Sequence, residues 1–360
     1  MEGDLIHIND WLRPLAWLYG GMVRFRNFCF DSGLLPQVSF DRPTICIGNI
    51  TVGGTGKTPH TEMLMKMLMK DYRVAVLSRG YRRKTRGFIL ANAHSTMLEI
   101  GDEPWQMKQK FPDSIVAVDG NRRRGIRRLL QGTETRDLQV ILLDDAFQHR
   151  YVKPDLNILL TDYHRLMTDD TMLPAGRLRE PISGKERANI VIVTKCPHNM
   201  KPMEYRVIQE ALNLRPYQHL FFSTFRYGPL RHLFGKNAGQ AEELTAETHI
   251  LLITGIACPQ QMLMDLRRTT RHITPLVFAD HHEFSSHDIE KIEKAFTALQ
   301  GSKRLIVTTE KDAARLLNIE NLSPIVRRHV YVIPIEVEIL REQTDEFRQE
   351  IMSIFTKPSA

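Results

Sequence analysis

Short, nearly unbroken runs of β-branched and aliphatic residues recur along the chain, with helical stretches between them. They fall at 44–48, 73–78, 114–119, 140–144, 157–162 and 189–195. Runs without polar alternation suit strands buried on both faces, as in a parallel sheet covered by helices. Residues 60–70 have helical character, and the methionines at 63, 65, 67 and 69 read as part of a core-facing helix. A second series at 249–256, 273–279, 304–309 and 330–334 predicts a smaller α/β domain. A polar stretch at about 235–247 marks the junction. The expected division is an N-terminal helix over 1–35, a main domain over 36–235, a smaller domain over 236–345 that completes a cleft, and a tail over 346–360.

The first forty residues break the pattern. Between Trp11 and Phe30 there are three arginines and no acidic residue. Trp11, Leu15, Leu18, Met22 and Phe25 alternate spacings of four and three, which aligns them on one helix face. Asp10 is placed to cap this helix, Pro14 is tolerable in its first turn, and Gly20-Gly21 should weaken or bend it. The charges exclude a comfortable bilayer span. Two readings stay open: an amphipathic helix packed on its own domain, or one lying in a membrane interface.

Composition narrows the field. The chain has 360 residues, 42% hydrophobic and 25% charged, enough for two domains with real cores. A net charge of +7 favours anionic partners: nucleotide phosphates, acidic lipid or nucleic acid. Cys29, Cys46, Cys196 and Cys258 lie far apart, so neither a zinc ribbon nor a disulfide framework is indicated, and a reducing, cytosolic setting fits. The first ten residues are too polar and acidic for a cleavable signal peptide.

The chemistry concentrates after the first run. Thr51-Val52-Gly53-Gly54-Thr55-Gly56-Lys57-Thr58 is a glycine-rich turn between a strand and a helix, the context of a phosphate-binding P-loop. Its glycines let backbone N–H groups face phosphates at a helix N-terminus. Lys57 would reach the β- and γ-phosphates of ATP, and the Thr58 hydroxyl would ligate Mg2+. Thr51 stands where the strict pattern has glycine. The run at 140–144 ends in Asp144-Asp145, oxygen ligands suited to a magnesium nucleotide.

With these, a set of segments resembles the tetraacyldisaccharide 4'-kinases, the lipid A 4'-kinases of Gram-negative bacteria. They are residues 48–59, 78–81 (Ser-Arg-Gly-Tyr), 101–104 (Gly-Asp-Glu-Pro), 144–149, 173–180, 280–282 (Asp-His-His) and 308–312. Ala146 replaces the family's usual glycine, while Thr51 belongs to the family's own loop form. The resemblance implies transfer of the ATP γ-phosphate to the 4'-hydroxyl of tetraacyldisaccharide 1-phosphate, giving lipid IVA. It places Asp102 at the acceptor hydroxyl, Glu103 near the metal, His281 beside Asp102, and Arg179 at the transferring phosphate. His149, Gln148, Glu180 and Arg79 become further substrate or phosphate contacts. It also implies a monomer attached peripherally to the cytoplasmic face of the inner membrane, which favours the interfacial reading of residues 11–30. The implied fold is a P-loop NTPase-like parallel sheet with helices on both faces.

Two basic clusters, Arg79/Arg82/Arg83/Lys84/Arg86 and Arg122/Arg123/Arg124/Arg127/Arg128, are solvated faces by default. Beside an anionic membrane surface, part of each would meet lipid headgroups or the substrate's 1-phosphate. The rival reading is a soluble P-loop GTPase or ATPase with a regulatory or metal-chaperone role. Residues 194–197 and 309–312 are partial matches to base-reading loops, but neither holds a complete Asn-Lys-x-Asp. A nucleic-acid-binding module leaves the loop and the acidic pair unexplained, so no nucleic-acid partner is expected.

Overall fold

Alternate residues of the first series of runs face opposite sides of one sheet, and both sides are apolar. The structure, a computed structural model, describes residues 8–234, 240–256, 260–279, 282–317, 319 and 322–356. It divides into two units, residues 1–225 with 337–360, and residues 226–336. The chain therefore changes unit at 225/226 and returns at 336/337, whereas the sequence reading put these changes at 235/236 and placed a tail from 346.

The first unit holds α1 (Arg13–Asp31), β1 (Thr44–Gly48), α2 (Lys57–Leu68), β2 (Val74–Ser78), β3 (Ile89–Leu90), α3 (Met97–Ile100) and α4 (Asp102–Lys110). It continues through β4 (Ile115–Val118), α5 (Arg122–Gln131), β5 (Val140–Asp144), β6 (Leu156–Asp162), β7 (Ile190–Thr194), α6 (Pro202–Leu212) and β8 (His219–Tyr227). In the second unit lie β9 (Leu230–His232), β10 (Ala241–Glu242), β11 (His249–Thr254), α7 (Gln260–Leu266), β12 (Ile273–Val277) and α8 (Ser286–Thr297). There follow β13 (Arg304–Thr309), α9 (Glu310–Leu316), α10 (Pro324–His329) and β14 (Val330–Ile333), after which β15 (Ile335–Ile339) and α11 (Thr344–Thr356) return the chain to the first unit.

The larger sheet runs β15-β8-β7-β6-β1-β5-β2-β4-β3, parallel from β8 to β4 with β3 antiparallel at the edge. Cys46, Leu77, Leu143 and Val191 join one core with Ala16 of α1, Ile126 of α5 and Leu212 of α6. Ile45, Ile47, Val76 and Leu142 join the other with Leu64 of α2, Met107 of α4 and Phe347 and Ile351 of α11. Period-two alternation into two apolar layers explains why the runs carry no polar alternation. It also corrects the tail: residues 344–356 are a helix because Phe347, Ile351 and Ile354 fall on one face and bury there. The expected doubly covered parallel sheet is observed.

The second unit has its own six-stranded sheet, β10-β9-β14-β13-β11-β12, with cores on both faces. Every run read as a strand lies in one of the two sheets.

Helix α1 is continuous through Gly20-Gly21. Gly20 is buried, and an added Cβ there would meet Met172 Cγ at 3.6 Å, an ordinary contact, so the glycine pair neither breaks the helix nor is demanded by its packing. Asp10 sits inside a short 3-10 turn, Asp10–Leu12, and pairs with Arg13 at 2.8 Å instead of capping the helix. The aligned face is exposed: Trp11 93%, Trp17 74% and Phe25 70%, with Leu15, Leu18, Met22 and Phe28 beside them. Ala16, Gly20 and Phe30 form the packed face. Among the described residues, no helix is long and apolar enough to cross a membrane.

Candidate functional site

Strand order places the acidic pair. β1 leads through the loop and α2 to β2, but β5 is inserted between β1 and β2, with Ile47 in register with Asp144. Asp144-Asp145 therefore emerges beside the glycine-rich loop at the carboxyl ends of the parallel strands, where open α/β sheets bind ligands.

Gly53 and Gly56 take φ of 116° and 84°, the left-handed region that glycine enters without strain, and Gly56 precedes the first turn of α2. Lys57 and Thr58 open that helix. Thr51 has a different part. It pairs antiparallel with Leu178, while Val52 N donates to Arg177 O at 2.7 Å and Arg179 N donates to Ile50 O at 2.7 Å. The loop's first residue is extended backbone clamped to the 171–179 strap, so it has no need of glycine.

This clamp delivers Arg179. Its Nη2 lies 3.0 Å from Asp145 Oδ1 and donates to both Asn49 O and Asn49 Oδ1. Lys57 Nζ lies 3.9 Å from the same Asp145 oxygen. Burial alone would push Asp145 up, but Lys57 and Arg179 outweigh it and hold the carboxyl below its ordinary value. Asp144 is buried and differs. Burial first, then the charges of Glu103 and Asp145, push it up to about 7 against the pull of Lys57 and Arg122. Thr61 Oγ1 and Ser78 Oγ donate to its two oxygens at 3.2 and 3.1 Å.

Asp102 and Glu103 stand in the first turn of α4, after Gly101 at φ 90°. A Cβ on Gly101 would meet Tyr81 O at 2.7 Å, and one on Gly80 would meet Ile100 O at 2.8 Å. The Ser-Arg-Gly-Tyr and Gly-Asp-Glu-Pro segments are thus packed backbone to backbone, which sets Glu103 close enough to act on Asp144. Arg79 is exposed, and its charge acts on Arg122 and His149.

Other expected contacts are engaged within the protein. Gln148 Nε2 donates to Asn49 O at 2.7 Å. Glu180 is buried, bonded to Arg187 at 2.8 Å and to Asn27 of α1 at 3.3 Å. His149 is lowered to about 4, by burial and then by Arg122 and other arginines, so it is neutral. His281 lies outside the described residues. Its neighbour His282 bonds Asp288 at 3.0 Å beside the Ser285 cap of α8.

Arg122, in the second basic cluster, is not on a solvated face. It is buried and donates to Asp119 O at 2.9 Å and Asp144 O at 3.0 Å. Arg124 likewise grips Asp119. Asn49, unmarked in the sequence, joins Arg179 to the loop, because its Nδ2 donates to Thr55 Oγ1 at 2.7 Å. Its only signal is its place between strand and loop. The would-be base-reading residues are committed elsewhere: Lys195 pairs with Asp162 at 2.6 Å, and buried Asp312 binds Gly255 N, Thr309 Oγ1 and Arg315.

A glycine-rich loop flanked by acids and cations at this edge of such a sheet defines a P-loop enzyme of the phosphate-handling class. The chain belongs to the tetraacyldisaccharide-1-P 4'-kinase family, whose profile matches residues 8–356. It is 52% identical to the tetraacyldisaccharide 4'-kinase of Phocaeicola vulgatus over 360 residues, 100% of this chain and 98% of that one. It is 56% identical to that of Bacteroides fragilis over 356 residues, 98% and 94% of the two chains. A crystal structure of LpxK from Aquifex aeolicus in complex with ATP matches with a TM-score of 0.72 at 27% identity, covering 96% of this chain and 98% of that one.

Proposed function

We propose that the protein transfers the γ-phosphate of ATP to the 4'-hydroxyl of tetraacyldisaccharide 1-phosphate, forming lipid IVA. The observation that carries this reading is the convergence of Lys57, Arg179, Asp144 and Asp145 beside the loop, in a chain of this family.

Loop amides from Thr51 to Thr58 and the Lys57 ammonium hold the ATP phosphates. Arg179 offers a planar guanidinium for charge spread over the transferring group's oxygens. Asp102, at the start of α4, accepts the proton of the acceptor hydroxyl. Arg79, neutral His149 and Gln148 border the phosphates.

Thr58, Glu103, Asp144 and Asp145 supply the all-oxygen donors that Mg2+ takes. The fit rests on the chemistry of this all-oxygen donor set and on the buried Asp144, on which the charges of Glu103 and Asp145 act; among the described residues no three such acids already converge on one point. Bound there, magnesium would offset the negative charge of the phosphates.

The substrate carries four acyl chains, so the exposed apolar face of α1, with Arg24 and Arg26 on the same helix, lies in the membrane interface. Attachment is peripheral, at the cytoplasmic face of the inner membrane. The test is transfer of labelled phosphate from ATP to purified tetraacyldisaccharide 1-phosphate in detergent micelles. Labelled lipid is the expected product; ATP hydrolysis without labelled lipid would overturn the reading.

A further inference from the structure

The P-loop and α2 occupy one face of the large sheet, where Leu64, Met65 and Leu68 pack. On the opposite face, between the sheet and the 146–155 segment, lies a cavity of about 360 Å3 whose lining, His149 apart, has no part in the proposed reaction. Its floor is Cys46 and Leu143, and its walls include Ala146, Phe147 and Val152, all of the opposite core. We propose that this cavity is a second anion site, shaped for a phosphate monoester or inorganic phosphate and distinct from the nucleotide loop.

The charge balance of the lining is the first argument. Arg122, Arg150, Arg187 and Lys153 line the cavity, against the single carboxylate of Asp155. Arg187 is neutralised by Glu180 at 2.8 Å, and Arg150 by Asp31 at 2.5 Å. Asp155 is committed to β1, its Oδ2 accepting from Thr44 N at 2.8 Å and Thr44 Oγ1 at 2.9 Å. Arg122 donates only to backbone carbonyls, so its charge is buried without a bonded carboxylate. The charges of Asp144 and Asp145 act on it through space without a hydrogen bond, and an anion in the cavity would add a bonded partner.

The second argument is unmet hydrogen bonding. The Nε atoms of Arg122 and Arg150, in side chains 2% and 7% exposed, have no partner, and neither has His149 Nε2. An unmet buried N–H is costly, so the two arginine Nε donors in residues that line this cavity mark a place prepared for acceptors, and His149 Nε2 joins them in the tautomer that carries its proton there. A tetrahedral oxyanion brings several acceptors in a volume that this space admits. Cys46 contributes only bulk, since burial pushes its thiol up to about 12.

The exposed residues Gln37, Lys153 and Asp155 mark the solvent side, so an anion enters without passing the P-loop. Arg150 also donates to Asn27 O at 3.1 Å, which ties the wall to the last turns of α1. Two sources share this chemistry, free phosphate and the phosphate monoester of a sugar headgroup; the second rests on the proposed function.

The experiment titrates inorganic phosphate and, separately, glucosamine 1-phosphate into the full protein with its nucleotide site saturated by a non-hydrolysable ATP analogue. Chloride holds ionic strength constant, and 31P line broadening and calorimetry read binding. One saturable site is expected, weakened at least tenfold by Lys153→Glu and also weakened by Gln37→Glu, both at exposed positions that leave the fold intact. Tighter binding of the sugar phosphate would assign the headgroup as source, and tighter binding of phosphate would assign the free ion. Absence of saturable binding by either probe, or affinities unchanged in both variants, would overturn the proposal. Loss of kinase activity on lipid with phosphate binding retained would count against the proposed function alone.

Discussion

Arg179 and Lys57 converge on one oxygen: Oδ1 of Asp145 lies 3.0 Å from the guanidinium and 3.9 Å from the ammonium. The two cations that would meet phosphate are held together by a carboxylate that phosphate must displace or share. Asp145 has φ 43°, a conformation that Asp and Asn both tolerate, so Asp145→Asn removes charge without disturbing backbone. Without magnesium, this variant should bind ATP several-fold more tightly, because the cations lose their internal competitor. With magnesium, turnover should fall on the order of 100-fold or more, because one of the proposed metal ligands is gone. Equal changes in metal-free affinity and turnover would remove the competition argument.

Asp102→Ala should lower turnover by at least about 100-fold and leave nucleotide binding nearly intact. Asp102 begins a helix separate from the loop, so the substitution leaves the phosphate cradle in place. Near-normal kcat would take the base role from this residue.

The sheet was legible because strands buried on both faces need continuous apolar runs, and the loop because phosphate binding constrains consecutive residues. The burial of Arg122 was not legible. In sequence it is one of five arginines in 122–128, and only Asn121 capping α5 at Arg124 turns the first of them inward. α11 was taken for a tail because its three core residues are dispersed among polar ones. The resemblance marks Thr51 as part of the family's loop form, and its pairing with Leu178 supplies the physical reason, an extended backbone at that position.

Asn49 gives a third prediction. It is buried and bonds Arg179, Thr55 and Gln148 through different atoms. Asn49→Ala keeps the backbone acceptor, which still holds Arg179 and Gln148, but removes the side-chain bonds to the Arg179 head and the Thr55 hydroxyl. Stability should fall by about 1–3 kcal/mol, and kcat should fall about tenfold while ATP affinity changes less. Denaturation midpoints and steady-state kinetics separate these effects; a loss confined to stability would make Asn49 a packing residue only.

The outer face of α1 can be tested apart from the site. Trp17 and Phe25 are 74% and 70% exposed, so Trp17→Glu with Phe25→Glu removes no core contact. Each buried aromatic contributes about 2 kcal/mol of transfer energy, and added acids are repelled by anionic lipid. The double variant should stay in the supernatant when anionic vesicles are sedimented, with an unchanged melting temperature. Arg82→Glu with Arg83→Glu should weaken the same binding less, because Arg83 is already bonded to Gly87 O at 2.6 Å. Full sedimentation of the Trp17/Phe25 variant would return α1 to a purely packed role.

The loop's fold should also be acid-sensitive through His60. Its Nδ1 lies 2.7 Å from Gly56 O, which only accepts, so that nitrogen carries the proton and Nε2 accepts from Ser223 Oγ at 2.9 Å. Burial lowers its pKa from 6.5 to about 4, against the opposing bond to Gly56. Between those values the unfolded chain binds a proton that the folded one refuses. Stability is therefore complete above 6.5 and declines as pH falls towards 4, by on the order of 3 kcal/mol from this residue. In His60→Gln the stability difference between about pH 7.5 and about pH 5 should shrink by about 2 kcal/mol, since an amide takes up no proton. Urea midpoints at both pH values measure it. Because Gly56 also ends the phosphate loop, ATP affinity in the parent protein should weaken over the same range; an identical acid loss in parent and variant would sink both statements.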